Sequence, residues 1–248
     1  MYYPNSPQLL HEMVINFMLS TNDIFDSFPK NDTRIILSPD EAYVYVWTNI
    51  SSWYNYLANN KNLNKFIIIW NSNEIKWIWT PNISNYMNLL WNIRINSNLK
   101  EKFCAVSSFE LIEKDINMDS IDCQLPFLLT SKKLDSILPI FIWYEKNYIK
   151  LVNLLKDSLE KDESLGIIFS SNLYDDFKNK TWTDKKLSEA IVDHDLKKIN
   201  NSVTNNLTLL KTFSLLSKKM NRDIVPLIYS HSRDLWMDKN TAYFSMIS

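Results

Sequence analysis

Apolar and polar residues follow two different patterns in the first half of the chain. Residues 66–70 (Phe-Ile-Ile-Ile-Trp) are uniformly apolar, which is typical of a strand buried on both faces. After the polar turn Asn71-Ser72-Asn73, residues 74–79 alternate between polar and apolar, which indicates a strand with one buried face. The two runs together predict a tryptophan-rich hairpin.

The segments on either side of this hairpin predict further elements. Ser6-Pro7 is a good start for a helix that runs to about Leu19, since serine caps and proline fits the first turn. Residues 34–37 and 43–48 have the composition of two strands separated by a turn. After Pro81, apolar residues at helical spacing predict a helix that carries Ile83, Tyr86, Met87, Leu90 and Trp91.

Helical spacing dominates after residue 125. Two apolar stripes stand out, one within residues 148–159 and one within residues 209–220, while short strands are expected at 167–170, 227–229 and 242–246. The predicted fold is mixed α/β or α+β, with a small sheet and its tryptophan-rich hairpin in residues 1–125 and a mostly helical half in residues 126–248. No flexible linker marks the seam, so one continuous domain is the alternative.

Composition excludes several kinds of active site. Gly166 is the only glycine in 248 residues. Walker loops, dinucleotide-binding loops and the Gly-x-Ser-x-Gly elbow need glycines at fixed offsets, so none can form in its usual shape. The many Asn, Ile and Lys residues indicate an AT-rich source. Asparagine is then expected to fill positions of positive φ, with the pairs Asn59-Asn60, Asn200-Asn201 and Asn205-Asn206 as candidates.

Charge and cysteine content point to an intracellular protein. The net charge of -1 and pI near 6.3 give no overall basic field for nucleic acid or an anionic membrane. Cys104 and Cys123 match no metal or redox spacing. The N-terminus lacks a signal-peptide pattern, and the longest apolar run, residues 137–144, is too short to span a membrane. A cytoplasmic or nuclear protein without a cofactor is therefore expected.

One motif suggests metal-dependent chemistry. Pro39-Asp40 and the later Glu74-Ile75-Lys76 resemble the Pro-Asp…(Asp/Glu)-x-Lys pattern of the restriction-endonuclease-like nucleases. The resemblance implies that Asp40 and Glu74 hold Mg²⁺ while Lys76 orients or activates the attacking water. An Mg-dependent nuclease is thus one alternative function. A turn followed by a surface salt bridge between Glu74 and Lys76 explains the same residues.

Four tryptophans, Trp70, Trp77, Trp79 and Trp91, lie in or beside the predicted hairpin. They either pack in the core or form a partner-binding face, and the second interpretation requires at least one exposed ring. Because no metal set, phosphate loop or nucleophile and base stands out, the sequence favours a non-enzymatic interaction subunit or adaptor of an intracellular assembly. Its partner is another protein or a second copy. A nucleic-acid-binding subunit is the second alternative, although the arginines usual at such sites are few.

Overall fold

The computed structural model describes residues 4–22, 33–60, 62–71, 78–87, 91–106, 109–112, 118–143, 148–173, 181–202, 204–232 and 241–248. The helices are α1 (Pro7–Ser20), α2 (Tyr43–Asn59), α3 (Ser97–Cys104), α4 (Asp119–Asp122), α5 (Leu125–Ser131), α6 (Tyr148–Lys161), α7 (Thr181–Val192), α8 (Leu196–Asn200) and α9 (Leu207–Lys219). The strands are β1 (Ile35–Ser38), β2 (Lys65–Asn71), β3 (Ile78–Pro81), β4 (Asn85–Met87), β5 (Asn92–Arg94), β6 (Phe109–Ile112), β7 (Ser136–Ile142), β8 (Leu165–Ser170), β9 (Val225–His231) and β10 (Ala242–Ile247).

An eight-stranded mixed sheet organises the molecule, in the order β6-β3-β7-β2-β8-β1-β10-β9. The four central strands, β7, β2, β8 and β1, are parallel, while β10 and β3 run antiparallel to their inner neighbours. Strand β2 lies between β7 and β8, and its residues Phe66 to Trp70 are all buried. The prediction of a strand covered on both faces is therefore confirmed for this segment.

Helices cover both faces of the central sheet. In the register of β1 and β8, Leu37 is opposite Phe169 and Ser38 is opposite Ser170, so each pair shares one face. The Phe169 ring packs edge-to-face on Phe213 of α9, with centroids 5.5 Å apart. Ser38 instead accepts a hydrogen bond from Trp53 of α2. Helix α2 therefore lies on one face and α9 on the other.

The sheet differs from the small sheet predicted for residues 1–125. Residues after 125 contribute β7, β8, β9 and β10 to this sheet, so a mostly helical half is not confirmed for residues 126–248. The predicted hairpin is also wrong, because β7 lies between β2 and β3. Strand β7 is buried along its whole length and pairs with β2 over seven residues, which satisfies the backbone groups that a hairpin would have used.

Two local predictions are wrong for the same physical reason. Residues 43–48, predicted as a strand, begin helix α2, in which Tyr43, Val46 and Ile50 are buried at helical spacing. The helix predicted after Pro81 is instead the two-stranded sheet of β4 and β5, where Tyr86 faces Ile93. Aromatic and β-branched residues suit either state when buried, so packing partners decide. Among the described helices, none is long and apolar enough to cross a membrane.

Candidate functional site

A crevice is expected where neighbouring parallel strands lead to opposite faces of a sheet, since their connections diverge there. Strands β1 and β8 are such a pair: the next described helix after β1 is α2, on one face, and the next after β8 is α7, which contacts α9, the helix on the other face. Mostly polar residues end and follow both strands, namely Ser38-Pro39-Asp40 at the end of β1 and Ser170-Ser171-Asn172 at the end of β8. Helix α4 and the turn before α5 bring Ser120, Cys123 and Gln124 to the same place. We call Ser38, Asp40, Ser120, Cys123, Gln124, Ser170 and Asn172 the crevice cluster.

Gln124 is the centre of the crevice cluster and is fully buried. Its Oε1 accepts a hydrogen bond from Ser38 Oγ at 2.9 Å. Its Nε2 donates to the carbonyl oxygen of Pro39 at 2.8 Å and to Ser170 Oγ at 2.9 Å. Trp53 Nε1 completes the set by donating to Ser38 Oγ at 2.9 Å. A single amide therefore ties the ends of β1 and β8 to the turn before α5.

The outer part of the cluster surrounds Asp40. This residue is half-buried, and its carboxylate oxygen Oδ2 accepts a hydrogen bond from Ser120 Oγ at 2.8 Å. The backbone N–H of Asp40 donates to Oδ1 of Asn172 at 3.3 Å. Asn206, at the start of α9, donates to the carbonyl oxygen of Asn172 at 2.9 Å. Asn71, at the end of β2, donates to Asn206 Oδ1 at 2.9 Å, so asparagines link the ends of three strands.

The titratable groups beside Gln124 are held in their neutral forms. Burial raises the pKa of the Cys123 thiol well above its usual value, and the nearby Asp40 carboxylate raises it further. Burial likewise raises the pKa of Tyr54, whose hydroxyl donates to the carbonyl oxygen of Gln124 at 2.7 Å. A neutral, buried thiol is a poor nucleophile. In chemical terms these groups act as hydrogen-bond donors and acceptors that join the ends of β1 and β8 to the turn before α5.

The residues of the nuclease-like motif are only partly placed. Asp40 lies in the crevice cluster, whereas Glu74 and Lys76 lie outside the described residues. The strand that was expected to follow Asp40 is the first turn of α2. Within the described ranges, no three His, Cys, Asp or Glu side chains converge as a group that could hold a metal ion. The nuclease interpretation stays a hypothesis.

Two of the four tryptophans are core residues. Trp70 on β2 and Trp79 on β3 are both buried and pack on opposite sides of the β7 residue Phe141, with Trp79 stacked on it at 3.4 Å between centroids. Neither ring therefore offers surface to a partner. Trp91 is half-buried against the core, and Trp77 lies outside the described residues.

Reasoning from the sequence missed the crevice cluster, although a signal for part of it is present. Ser38 and Ser170 each follow directly on a buried apolar run, as polar residues do at the carboxyl ends of parallel strands. Gln124 gives no such signal because it lies in a turn, 86 positions from Ser38. Its position follows only from the packing of α4 and α5 beside the sheet.

Comparisons with known proteins give a family and a fold. The family model described as Memo-like protein matches residues 1–231. No curated protein matches the chain in sequence. Among solved structures, the chain is similar to the uncharacterized protein JW3007 from Escherichia coli K12, with a TM-score of 0.59 and 8% identity over 87% of this chain and 99% of that one. At this identity the likeness concerns the fold alone.

Proposed function

This chain belongs to the Memo-like protein family, and we propose that it acts there as a non-enzymatic protein-interaction subunit of an intracellular assembly. The proposed binding surface is the outer face of α1. The observation that carries the proposal is the exposure of three large apolar side chains on that face. Leu9 is 58% exposed, Ile15 is 36% exposed and Leu19 is 61% exposed.

Helix α1 is held firmly by its other face. Leu10 and Val14 are buried there, and the Phe17 ring stacks on Trp47 of α2 with centroids 4.9 Å apart. Ser6 caps the helix, since its Oγ accepts a hydrogen bond from the backbone N–H of Leu9. A helix anchored in this way presents its outer residues in a fixed arrangement, which lowers the entropy lost on binding.

The outer face of α1 has the composition of an interface rather than of an ordinary solvated helix. Ile15 and Leu19 are four positions apart, so they are neighbours on the helix surface. Glu12 is the only acidic residue of α1, and the helix has no lysine or arginine. Interface centres are depleted in charge and rich in large apolar side chains. Among the described residues, three of the eight exposed large apolar side chains belong to this helix.

The crevice cluster supports a non-enzymatic role by its internal bonding. The hydroxyls of Ser38 and Ser170 and the amide of Gln124 bond to one another and to protein carbonyl oxygens. A network whose groups are all hydrogen-bonded tends to be rigid, and its groups would have to break existing bonds before they could activate a substrate.

The test compares two surface variants of the whole chain. Leu9→Glu combined with Leu19→Glu puts charge on the proposed interface, while Ile149→Glu is the matched control, since Ile149 is 49% exposed on α6. Self-association is measured first by sedimentation, and partner capture is then compared quantitatively between the variants. Loss of an interface hot spot typically costs 2 kcal/mol or more, about thirtyfold in affinity. We expect that loss for the double variant and not for the control.

Thermal unfolding separates lost binding from lost folding. Both variants change exposed positions, so their melting temperatures should stay close to that of the unchanged chain. The proposal fails if the chain neither self-associates nor retains a stoichiometric protein partner. It also fails if Ile149→Glu weakens association as much as the double substitution in α1.

A further inference from the structure

A cavity of about 340 Å³ opens at the amino-terminal edge of the sheet, away from the crevice. It lies between the first residues of β2 and β7, the first turn of α3 and the last turn of α6. Its charged lining residues are Lys65, Arg94, Lys102, Asp135, Lys161 and Asp162. Among the described residues of the lining, four cations against two carboxylates give two net positive charges, although the whole chain carries -1.

Two of the four cations are neutralised by the two carboxylates. Lys65 Nζ lies 2.9 Å from Asp162 Oδ2. Arg94 makes a bidentate contact with Asp135, at 2.8 and 2.9 Å to the two oxygens. Among the described lining residues, Lys102 and Lys161 are therefore the two cations that form no ion pair within the lining.

Lys102 is in an unfavourable position for a charged amine. Its ammonium donates to a neutral acceptor, Ser158 Oγ, at 2.7 Å. Burial lowers the pKa of Lys102 and repulsion by Lys161 lowers it further, while Asp157 outside the lining acts in the opposite direction. An anion between the two ammonium groups would remove this repulsion and form charge-assisted hydrogen bonds with both.

The rest of the lining suits a small organic anion. The first turn of α3 borders the cavity at residues 97–99. The Asn96 side chain already accepts from the N–H of Leu99 at 3.0 Å. Among the described residues, the backbone N–H groups of Ser97 and Asn98 have no acceptor. They could therefore donate hydrogen bonds to a bound anion, in addition to the ammonium groups of the two lysines. Ile95 and Leu99 supply apolar surface for a non-polar portion of a ligand.

We propose that this cavity binds a small phosphorylated molecule, with a terminal phosphate held between Lys102 and Lys161. A terminal phosphate carries close to two negative charges at neutral pH, which matches the two ammonium groups. The volume lies within the roughly 300–1,000 Å³ of small-ligand sites. A long polyanion such as nucleic acid is disfavoured, because its affinity depends on many phosphate contacts along a basic surface and the chain has no net positive charge.

Calorimetric titration of the full chain with inorganic pyrophosphate tests the proposal. Lys102→Gln and Lys161→Gln each remove one ammonium group, and Lys150→Gln on the exposed part of α6 is the matched control outside the cavity. Each variant removes a hydrogen bond between charged groups, so each cavity variant should weaken binding about 10-fold or more. The control should stay within about 2-fold of the unchanged chain.

Melting temperatures show whether the variants fold. If Lys102→Gln fails to fold, Lys161→Gln alone tests the proposal, since Lys161 is exposed and its replacement should leave the fold intact. A short single-stranded oligonucleotide is titrated in parallel. Saturable pyrophosphate binding that both cavity variants weaken, and that exceeds oligonucleotide binding, supports the proposal. Absence of saturable binding, equal weakening by Lys150→Gln, or tighter oligonucleotide binding through the same lysines overturns it.

Discussion

Gly166, the only glycine of the chain, is used for close packing rather than for backbone freedom. It lies in β8 with no positive φ, directly beside Phe66 of β2 in the strand register. A Cβ atom at this position would lie 2.5 Å from Phe66 Cε1 and 2.9 Å from Cδ1. The fully buried Phe66 ring thus occupies the space that any other side chain would need.

Gly166→Ala should therefore lower the free energy of unfolding by about 1–3 kcal/mol, the usual cost of overpacking a core. Urea denaturation measures the change. Gly166→Ala introduced into a Phe66→Leu background should lower the free energy of unfolding by less than it does in the unchanged chain, because leucine lacks the ring atoms that clash with the added Cβ. Equal costs in the two backgrounds would contradict this account of the glycine.

At the scale of elements, positive φ occurs at helix ends rather than at the expected asparagine pairs. Among the described residues other than glycine, His194 and Asn221 have positive φ, each at 54°. Asn60, Asn201 and Asn206 have φ of -84°, -89° and -100°. Asn221 ends α9: its N–H donates to Lys218 O, and that of Arg222 donates to Ser217 O. This left-handed position beyond the last turn is one that glycine prefers.

Asn221→Gly should raise the free energy of unfolding by about 0.5–1 kcal/mol, because glycine adopts the left-handed conformation without steric cost. Asn201→Gly is the matched control at the end of α8. Its φ is already negative, so glycine relieves no strain there and only adds freedom to the unfolded chain, which lowers stability. Opposite shifts of the two melting temperatures are expected. A decrease in both would contradict the assigned backbone conformation of Asn221.

At the scale of the whole molecule, the central sheet joins both parts of the chain. Strand β2, from before residue 125, has β7 on one side and β8 on the other, both from after it. Helix α9, which belongs to the later part of the chain, also contacts β1 and β2 of the earlier part. The buried backbone groups of β2 obtain their hydrogen-bond partners only when both parts are present.

Separate expression of residues 1–125 and 126–248 tests the predicted domain boundary. Each fragment alone should lack a cooperative thermal transition, because β2, β7 and β8 would each lose both of their neighbouring strands. Co-expression should restore a complex with the circular dichroism of the intact chain. A cooperative transition in either isolated fragment would instead support two independent domains.

The sequence by itself determined several of the buried segments and their periodicity. The uniformly apolar run of β2 and the apolar stripes of α6 and α9 lie where they were predicted. The serine cap of α1 was also predicted, and the structure has it. These features depend on residues close together in the chain, so a local pattern is enough to identify them. The scarcity of glycine likewise excluded phosphate loops without any structure.

Only the tertiary structure decided which segments pair and which residues meet at a site. Lys65 of β2 pairs with Ser136 of β7 across 71 positions of sequence, and the Ser38–Gln124 hydrogen bond joins residues 86 positions apart. The choice of helix for residues 43–48 and of strands for residues 85–94 followed from the same long-range packing. Burial of aromatic and β-branched residues favours whichever conformation satisfies the backbone and fills the core. That choice depends on partners which the local pattern does not specify.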